Sequence, residues 1–89
     1  MYVHLGGGCL IRTAEIIGIF SAKDYHNSFY KALKNNKNEF YEVEDLSEDN
    51  IIDSIILTEE KIYLSGISSL TLQKRINQNI IYHNGGNNV

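Results

Sequence analysis

Residues 4–20 read HLGGGCLIRTAEIIGIF. Three consecutive glycines separate a short apolar run from a longer one that is rich in isoleucine. Because β-branched residues favour strands over helices, the isoleucine-rich run after the glycines predicts a strand. Glycine adopts positive φ without steric cost, so the pattern predicts a tight turn that joins one strand to the next.

The same glycines raise the alternative of a phosphate-binding loop. A dinucleotide fingerprint needs a third glycine where Ile11 stands, and no P-loop string occurs in the chain. Both motifs also place the phosphate at the N-terminus of a helix, whereas the residues after Gly8 are typical of a strand. The turn is therefore the favoured interpretation.

The rest of the chain predicts an α+β fold, a small single domain with a mostly antiparallel sheet and two helices. The isoleucines of residues 51–58 also fit helical spacing, but their density favours a strand, and TEEK predicts a hairpin turn after it. The predicted strands are residues 2–5, 9–12, 15–20, 40–46, 51–58 and 61–65.

Two helices complete the predicted fold. The first lies within residues 21–38, where Tyr25, Phe29 and Leu33 recur at helical spacing. The second follows a cap at Ser68 or Ser69 and places Leu72, Ile76 and Ile80 on one face. We expect one domain over residues 1–82 and a flexible tail over residues 83–89.

Composition limits the class of protein. The chain has 89 residues, one cysteine and a formal net charge of −3. A single cysteine cannot form an internal disulfide, which fits a reducing compartment. No apolar run approaches the roughly 20 residues that span a membrane, and the opening residues lack the regions of a signal peptide. We therefore expect a cytoplasmic protein with no membrane partner.

The residues that carry chemistry do not form a catalytic or metal-binding pattern. His4 and Cys9 are the two plausible neighbours across the first hairpin, whereas a tetrahedral metal site needs three or four ligands. The carboxylates lie in polar, turn-rich segments, which is typical of a solvated face. We expect no catalysis, no metal and no cofactor.

Charge is segregated along the chain. Every charged residue from Glu39 to Glu60 is acidic, and the lysines and arginines lie elsewhere. Binding to DNA depends on local potential rather than on total charge, so a basic face can contact phosphates despite the negative sum. Solubility and complementarity to helix ends explain the same pattern without DNA.

Three stretches together resemble the RemA/RemB family, in its RemB type: MYVHLGGGCLIRTAEIIGIF at the start, SIILTEEKIYLS at residues 54–65 and SSLTLQKR at residues 68–75. The resemblance covers roughly residues 1–76. It implies a small bacterial regulator of transcription of extracellular matrix (biofilm) genes. RemA-type relatives bind DNA and assemble into rings.

The resemblance places the family's DNA-binding arginines at Glu15 and at Asp49, Asn50 and Ile52, none of which is basic. Arg12 keeps the arginine of the RemB type, although on a regular strand it and Glu15 point to opposite faces. The residues that we predict to contact DNA are Arg12, Lys74, Arg75, Lys31 and Lys34.

The sequence also predicts a homo-oligomer. The strand EIIGIF has too few polar positions for one exposed face, so Ile17 or Ile19 is expected in an interface between subunits. Two functions remain open. One is a DNA-associated transcriptional regulator that acts as an oligomer, and the other is an oligomeric scaffold or protein-binding module, with a basic paralogue as a candidate partner.

Overall fold

The computed structural model describes residues 1–24 and 42–83, with side chains up to Lys23 and from Glu42 to Asn77. Two single turns of 3₁₀ helix, Thr13–Glu15 and Ala22–Asp24, follow the second and third strands. The regular elements are β1 (Tyr2–Gly6), β2 (Cys9–Arg12), β3 (Ile16–Ser21), β4 (Glu42–Asp45), β5 (Ser54–Thr58), β6 (Lys61–Ser65) and α1 (Ser69–His83).

The described strands form two sheets rather than the one that was predicted. Strands β1 and β2 form a two-stranded antiparallel hairpin, and the other four form a sheet in the order β3-β5-β6-β4. The predicted β5–β6 hairpin is confirmed, with its turn at Glu59 and Glu60. The β4–β6 pair is parallel, so the sheet is mostly, but not entirely, antiparallel.

Two predicted strand starts were wrong, each by a local turn. Glu15 belongs to a 3₁₀ turn, and β3 begins at Ile16. Ile51 lies in a turn, where its main-chain N–H donates to the carbonyl of Glu48 at 3.0 Å. Strand β5 therefore begins at Ser54.

The glycines form the turn of the first hairpin, as predicted. Gly6, Gly7 and Gly8 have φ of 95°, 55° and 75°, a region that disfavours side chains. A Cβ on Gly7 would lie 3.1 Å from the carbonyl oxygen of Leu46. Glycine is thus favoured at residue 7 both by the backbone angle and by close packing.

The hairpin alternates between a buried face and an exposed one. Its inner face contributes Val3, Leu5 and Ile11 to the main core, together with Ile56, Tyr63 and Leu72. Its outer face carries four exposed residues, which are Tyr2, His4, Leu10 and Arg12. Burial of the inner face holds the hairpin against the four-stranded sheet and helix α1.

Strand β3 has a bulge that breaks its alternation. The pairing with β5 shifts between Ile16 and Gly18, which leaves Ile17 without a register partner. Ile16 and Ile19 therefore both pack against the main core, whereas Ile17 is 61% exposed. Of the two residues predicted in a subunit interface, Ile17 is exposed, whereas Ile19 packs against the core of its own subunit.

Helix α1 begins as predicted and packs through Leu72. The hydroxyl of Ser68 accepts the main-chain N–H of Thr71 at 3.1 Å, which is the bond expected of an N-cap. Leu72 is fully buried and Ile76 packs against the same core. The side chain of Ile80, residues 25–38 of the first predicted helix and residues 84–89 of the predicted tail lie outside the described residues, whereas His83, the first residue of that tail, still belongs to α1.

Ser65 joins the hairpin to the sheet beneath it. Its buried hydroxyl donates to the carbonyl of Leu5 at 2.6 Å and accepts the N–H of Ile67 at 3.0 Å. Replacing Ser65 with alanine leaves both groups without that partner, and a buried unsatisfied group costs about 1–3 kcal/mol.

We expect Ser65→Ala to lower the free energy of unfolding, measured by urea titration, by about 1–3 kcal/mol. The matched control is Ser69→Ala, because no hydrogen bond of the Ser69 side chain occurs among the described residues. A Ser65→Ala protein as stable as the control would contradict this role.

Candidate nucleic-acid interface

Arg12 ends strand β2 at the rim of an open groove of about 630 Å³. The groove lies between the end of the first hairpin, strand β3 and the β5–β6 turn. It is lined by Arg12, Ala14, Glu15, Ile17, Thr58, Glu59, Glu60, Lys61 and Tyr63.

The expectation that Arg12 and Glu15 point to opposite faces was wrong. The 3₁₀ turn Thr13–Glu15 replaces the strand between them. A carboxylate oxygen of Glu15 accepts the main-chain N–H of Arg12 at 3.0 Å, and both side chains line the groove. Glu15 thus lies beside Arg12 instead of behind it.

The groove carries two cations, Arg12 and Lys61, against the carboxylates of Glu15, Glu59 and Glu60. Lys61 is already occupied, since its Nζ lies 3.7 Å from Glu42 Oε2 and 3.8 Å from Glu44 Oε1. Among the described residues, no ion pair involves Arg12. Arg12 is therefore the groove's available cation.

The pKa values of Lys61 in the groove and of Cys9 on strand β2 are both raised by their surroundings. Glu44 is the main cause of the raised pKa of Lys61, followed by Tyr63. Burial is the main cause of the raised pKa of the Cys9 thiol, and Glu44 adds to it. A thiol with a raised pKa is a poor nucleophile near neutral pH, so Cys9 does not have the character of a reactive cysteine.

Arg75 is held against the first hairpin. Its Nη1 donates to the main-chain carbonyl of His4 at 2.8 Å, which ties helix α1 to strand β1. A guanidinium has five N–H donors, so the remaining ones can still reach a phosphate. No sequence pattern indicates this contact, because it joins residues 71 positions apart.

Lys74 is exposed on helix α1 beside Arg75. Lys31 and Lys34 lie outside the residues that the structure describes. Of the five predicted DNA contacts, the structure therefore brings Arg12 and Arg75 to the same hairpin and places Lys74 next to the second of them.

The glycine turn opens on a different groove of about 340 Å³. Glu48 and Asp49 line it, together with Leu46 and Ile51, and none of its lining residues is basic. Asp49 and Asn50 have φ of 54° and 60° in the turn above it. An acidic rim disfavours phosphate, which agrees with the sequence-based preference for a simple turn.

The described residues hold no group of three His, Cys, Asp or Glu side chains that could bind a metal ion. None of the helices in the described part of the chain is long and apolar enough to cross a membrane.

A family model described as RemA-like, extracellular matrix regulatory protein A-like, matches residues 2–76. The chain belongs to the RemA-like family. The match spans all six described strands and the first half of helix α1. It confirms the resemblance that the opening, the central hairpin and SSLTLQKR predicted.

The chain is also similar to a protein of Bacillus subtilis (strain 168) that is named extracellular matrix regulatory protein B. It is 36% identical over 76 residues, which cover 84% of this chain and 89% of the relative. The RemB type that the sequence predicted thus agrees with the relative's name.

Proposed function

We propose that this RemA-like chain is a DNA-associated transcriptional regulator of extracellular matrix genes that acts as a cytoplasmic homo-oligomer without catalysis. The name of the B. subtilis relative supports the matrix-regulatory part. The contact with DNA rests on the placement of Arg12 and Arg75 at one hairpin.

The placement of these cations is the observation that carries the proposal. Arg75 bonds to the carbonyl of His4, whose register partner on β2 is Leu10. Arg12 lies two residues beyond Leu10, roughly 7 Å along the strand. Arg12 on the hairpin and Arg75 bonded to it from helix α1 can each bind a phosphate oxygen, and such contacts position a protein on DNA.

An oligomer compensates for the small number of cations in one subunit. Each copy contributes a few phosphate contacts, and linked copies bind at high effective concentration. Strand β3 is an edge strand of the described sheet, and its exposed Ile17 offers an apolar contact beside that edge. Fully burying an exposed isoleucine contributes about 1.5–3 kcal/mol, and Ile17, which is 61% exposed, can contribute the corresponding part of it.

A second candidate function is an oligomeric scaffold or protein-binding module that does not touch DNA. It is favoured by the acidic rim of the groove at the glycine turn, which Glu48 and Asp49 line. It is also favoured by Asp49 and Asn50, which stand where the resemblance places arginines in DNA-binding relatives. A basic paralogue is the partner whose charge complements this surface.

Titration of a labelled duplex with the protein separates the two functions. The DNA-associated regulator predicts saturable binding that weakens as salt is raised. The scaffold predicts no binding by the chain alone, and this result would contradict the proposal.

If Ile17 lies in the interface between subunits, Ile17→Lys should weaken the oligomer. We expect this charge in the interface to reduce the mass in solution, measured by light scattering at micromolar concentration. The fold is expected to survive, because Ile17 is 61% exposed within the chain. The matched control is Ile51→Lys, at a residue that is 64% exposed on another surface. An unchanged mass for Ile17→Lys, or a monomeric parent protein, would refute this interface.

A further inference from the structure

The outer face of the first hairpin is an exposed two-stranded ribbon with an unusual mixture of side chains. Tyr2 pairs with Arg12, and His4 pairs with Leu10, directly across the strands. Tyr2 and Leu10 are each 58% exposed, although both are large enough to belong in a core. The face thus combines two apolar side chains, a histidine and a cation, with no carboxylate among them.

The surroundings of this ribbon add positive charge at one edge. Arg75 meets the ribbon at the carbonyl of His4, and Lys74 is its neighbour on α1. At the end of β2, Arg12 shares its groove with Glu15, Glu59 and Glu60. Glu15 lies past the end of β2, where its carboxylate accepts a hydrogen bond from the main-chain N–H of Arg12. The acidic groove of Glu48 and Asp49 belongs to the glycine turn, at the opposite end.

We propose that this ribbon, formed by Tyr2, His4, Leu10 and Arg12, is seated in a groove of duplex DNA. The inference rests on the proposed function and names the surface that performs it. Arg12 and Arg75 bind phosphates at the rim, while Tyr2 and Leu10 contact sugars and base edges.

The dimensions of the ribbon fit this partner. Two strands lie about 4.8 Å apart, and the major groove of B-DNA, about 12 Å wide, admits a two-stranded ribbon. The acid-free outer face complements a polyanion, and its apolar side chains can meet thymine methyl groups. This contact differs from the one that the resemblance implies, which lies at Glu15 and at the turn of Asp49 and Asn50.

The test compares variants that change the ribbon's apolar contacts without changing its charge. We expect Tyr2→Thr combined with Leu10→Thr to weaken binding of a labelled duplex at least about tenfold, because less apolar surface is buried against the groove. The slope of affinity against salt should stay the same, because no phosphate contact is lost. Leu10→Thr alone, which leaves Tyr2 and its contacts in place, should weaken binding in the same direction.

The matched control is Ile51→Thr, which exchanges an exposed apolar side chain of the β4–β5 connection. Its affinity should equal that of the parent. Thermal unfolding of each variant verifies that it is folded. A loss of affinity in Ile51→Thr with none in the ribbon variants would overturn the inference and favour the turn of Asp49 and Asn50.

The failure of the inference is distinguishable from the failure of the proposed function. If the parent protein binds the duplex and both ribbon variants bind it equally well, the ribbon is not the contact, although DNA is still bound. If the parent binds no duplex at low salt, both are refuted. Equal or tighter binding of the corresponding single strand would contradict seating in a groove.

Discussion

Arg12→Glu should abolish binding of duplex DNA. The substitution removes the available cation of the groove and places a carboxylate beside Glu15. A lost charge-assisted hydrogen bond costs about 1.5–3 kcal/mol, or roughly 10- to 150-fold in affinity for each contacting subunit, and repulsion from the phosphates adds to it. We expect binding to fall at least about 100-fold and its salt dependence to flatten, in a fluorescence titration at low salt.

Lys23→Glu is the control for this change. It alters the net charge by the same amount at another exposed residue. Lys23 follows Ala22, which packs with Ile55 and Leu64 in a second core cluster, away from the hairpin. An equal loss of affinity in both variants would show that only net charge matters, and would refute the role of Arg12.

Leu72→Ala should have the largest effect on stability. Leu72 is fully buried between helix α1 and the first hairpin, in a cluster with Leu5 and Ile56. Truncating a buried leucine costs about 2–5 kcal/mol, since a cavity remains. For a domain of this size, 1 kcal/mol shifts Tm by about 4–8 °C, so we expect Tm to fall by at least about 8 °C.

Leu70→Ala is the matched control on the same helix. Leu70 is 68% exposed, and alanine favours helices as well as leucine does, so stability should change by less than about 0.5 kcal/mol. Both proteins are compared at one concentration, because assembly raises apparent stability. Equal Tm values for the two variants would contradict the packing of α1 through Leu72.

Local patterns were sufficient to predict most of the strands and the one helix among the described residues. The three glycines predicted the turn because positive φ is a property of single residues, and Ser68 predicted the start of α1 because a cap acts over three residues. The isoleucine-rich hairpin of β5 and β6 followed from β-propensity and a short polar turn. Each of these signals lies within a few residues of the structure that it specifies.

Features that depend on distant residues could not be predicted. The parallel pairing of β4 with β6 is set by packing, and no local pattern indicates it. The bulge at Ile17 moves Ile19 to the core, whereas regular alternation places both on one face.

In the candidate site, too, features set by local sequence could be predicted and features set by distant residues could not. Arg12 was predicted as a DNA contact because it stands in a recognisable stretch, and that role stays a prediction. Its position beside Glu15 depends on a 3₁₀ turn with no strong sequence signal. The anchoring of Arg75 on His4 depends on the tertiary fold alone.

One salt series decides whether this protein binds DNA as an assembly. The affinity for a labelled duplex and the mass of the protein are measured on the same sample. The cations Arg12, Lys74 and Arg75 of one described subunit can neutralise about three phosphates, and each contributes about 0.9 to the slope of log affinity against log salt. We predict a multi-subunit mass and a slope steeper than about 3. A monomeric mass, or an affinity that does not change with salt, would contradict an oligomeric DNA-associated regulator.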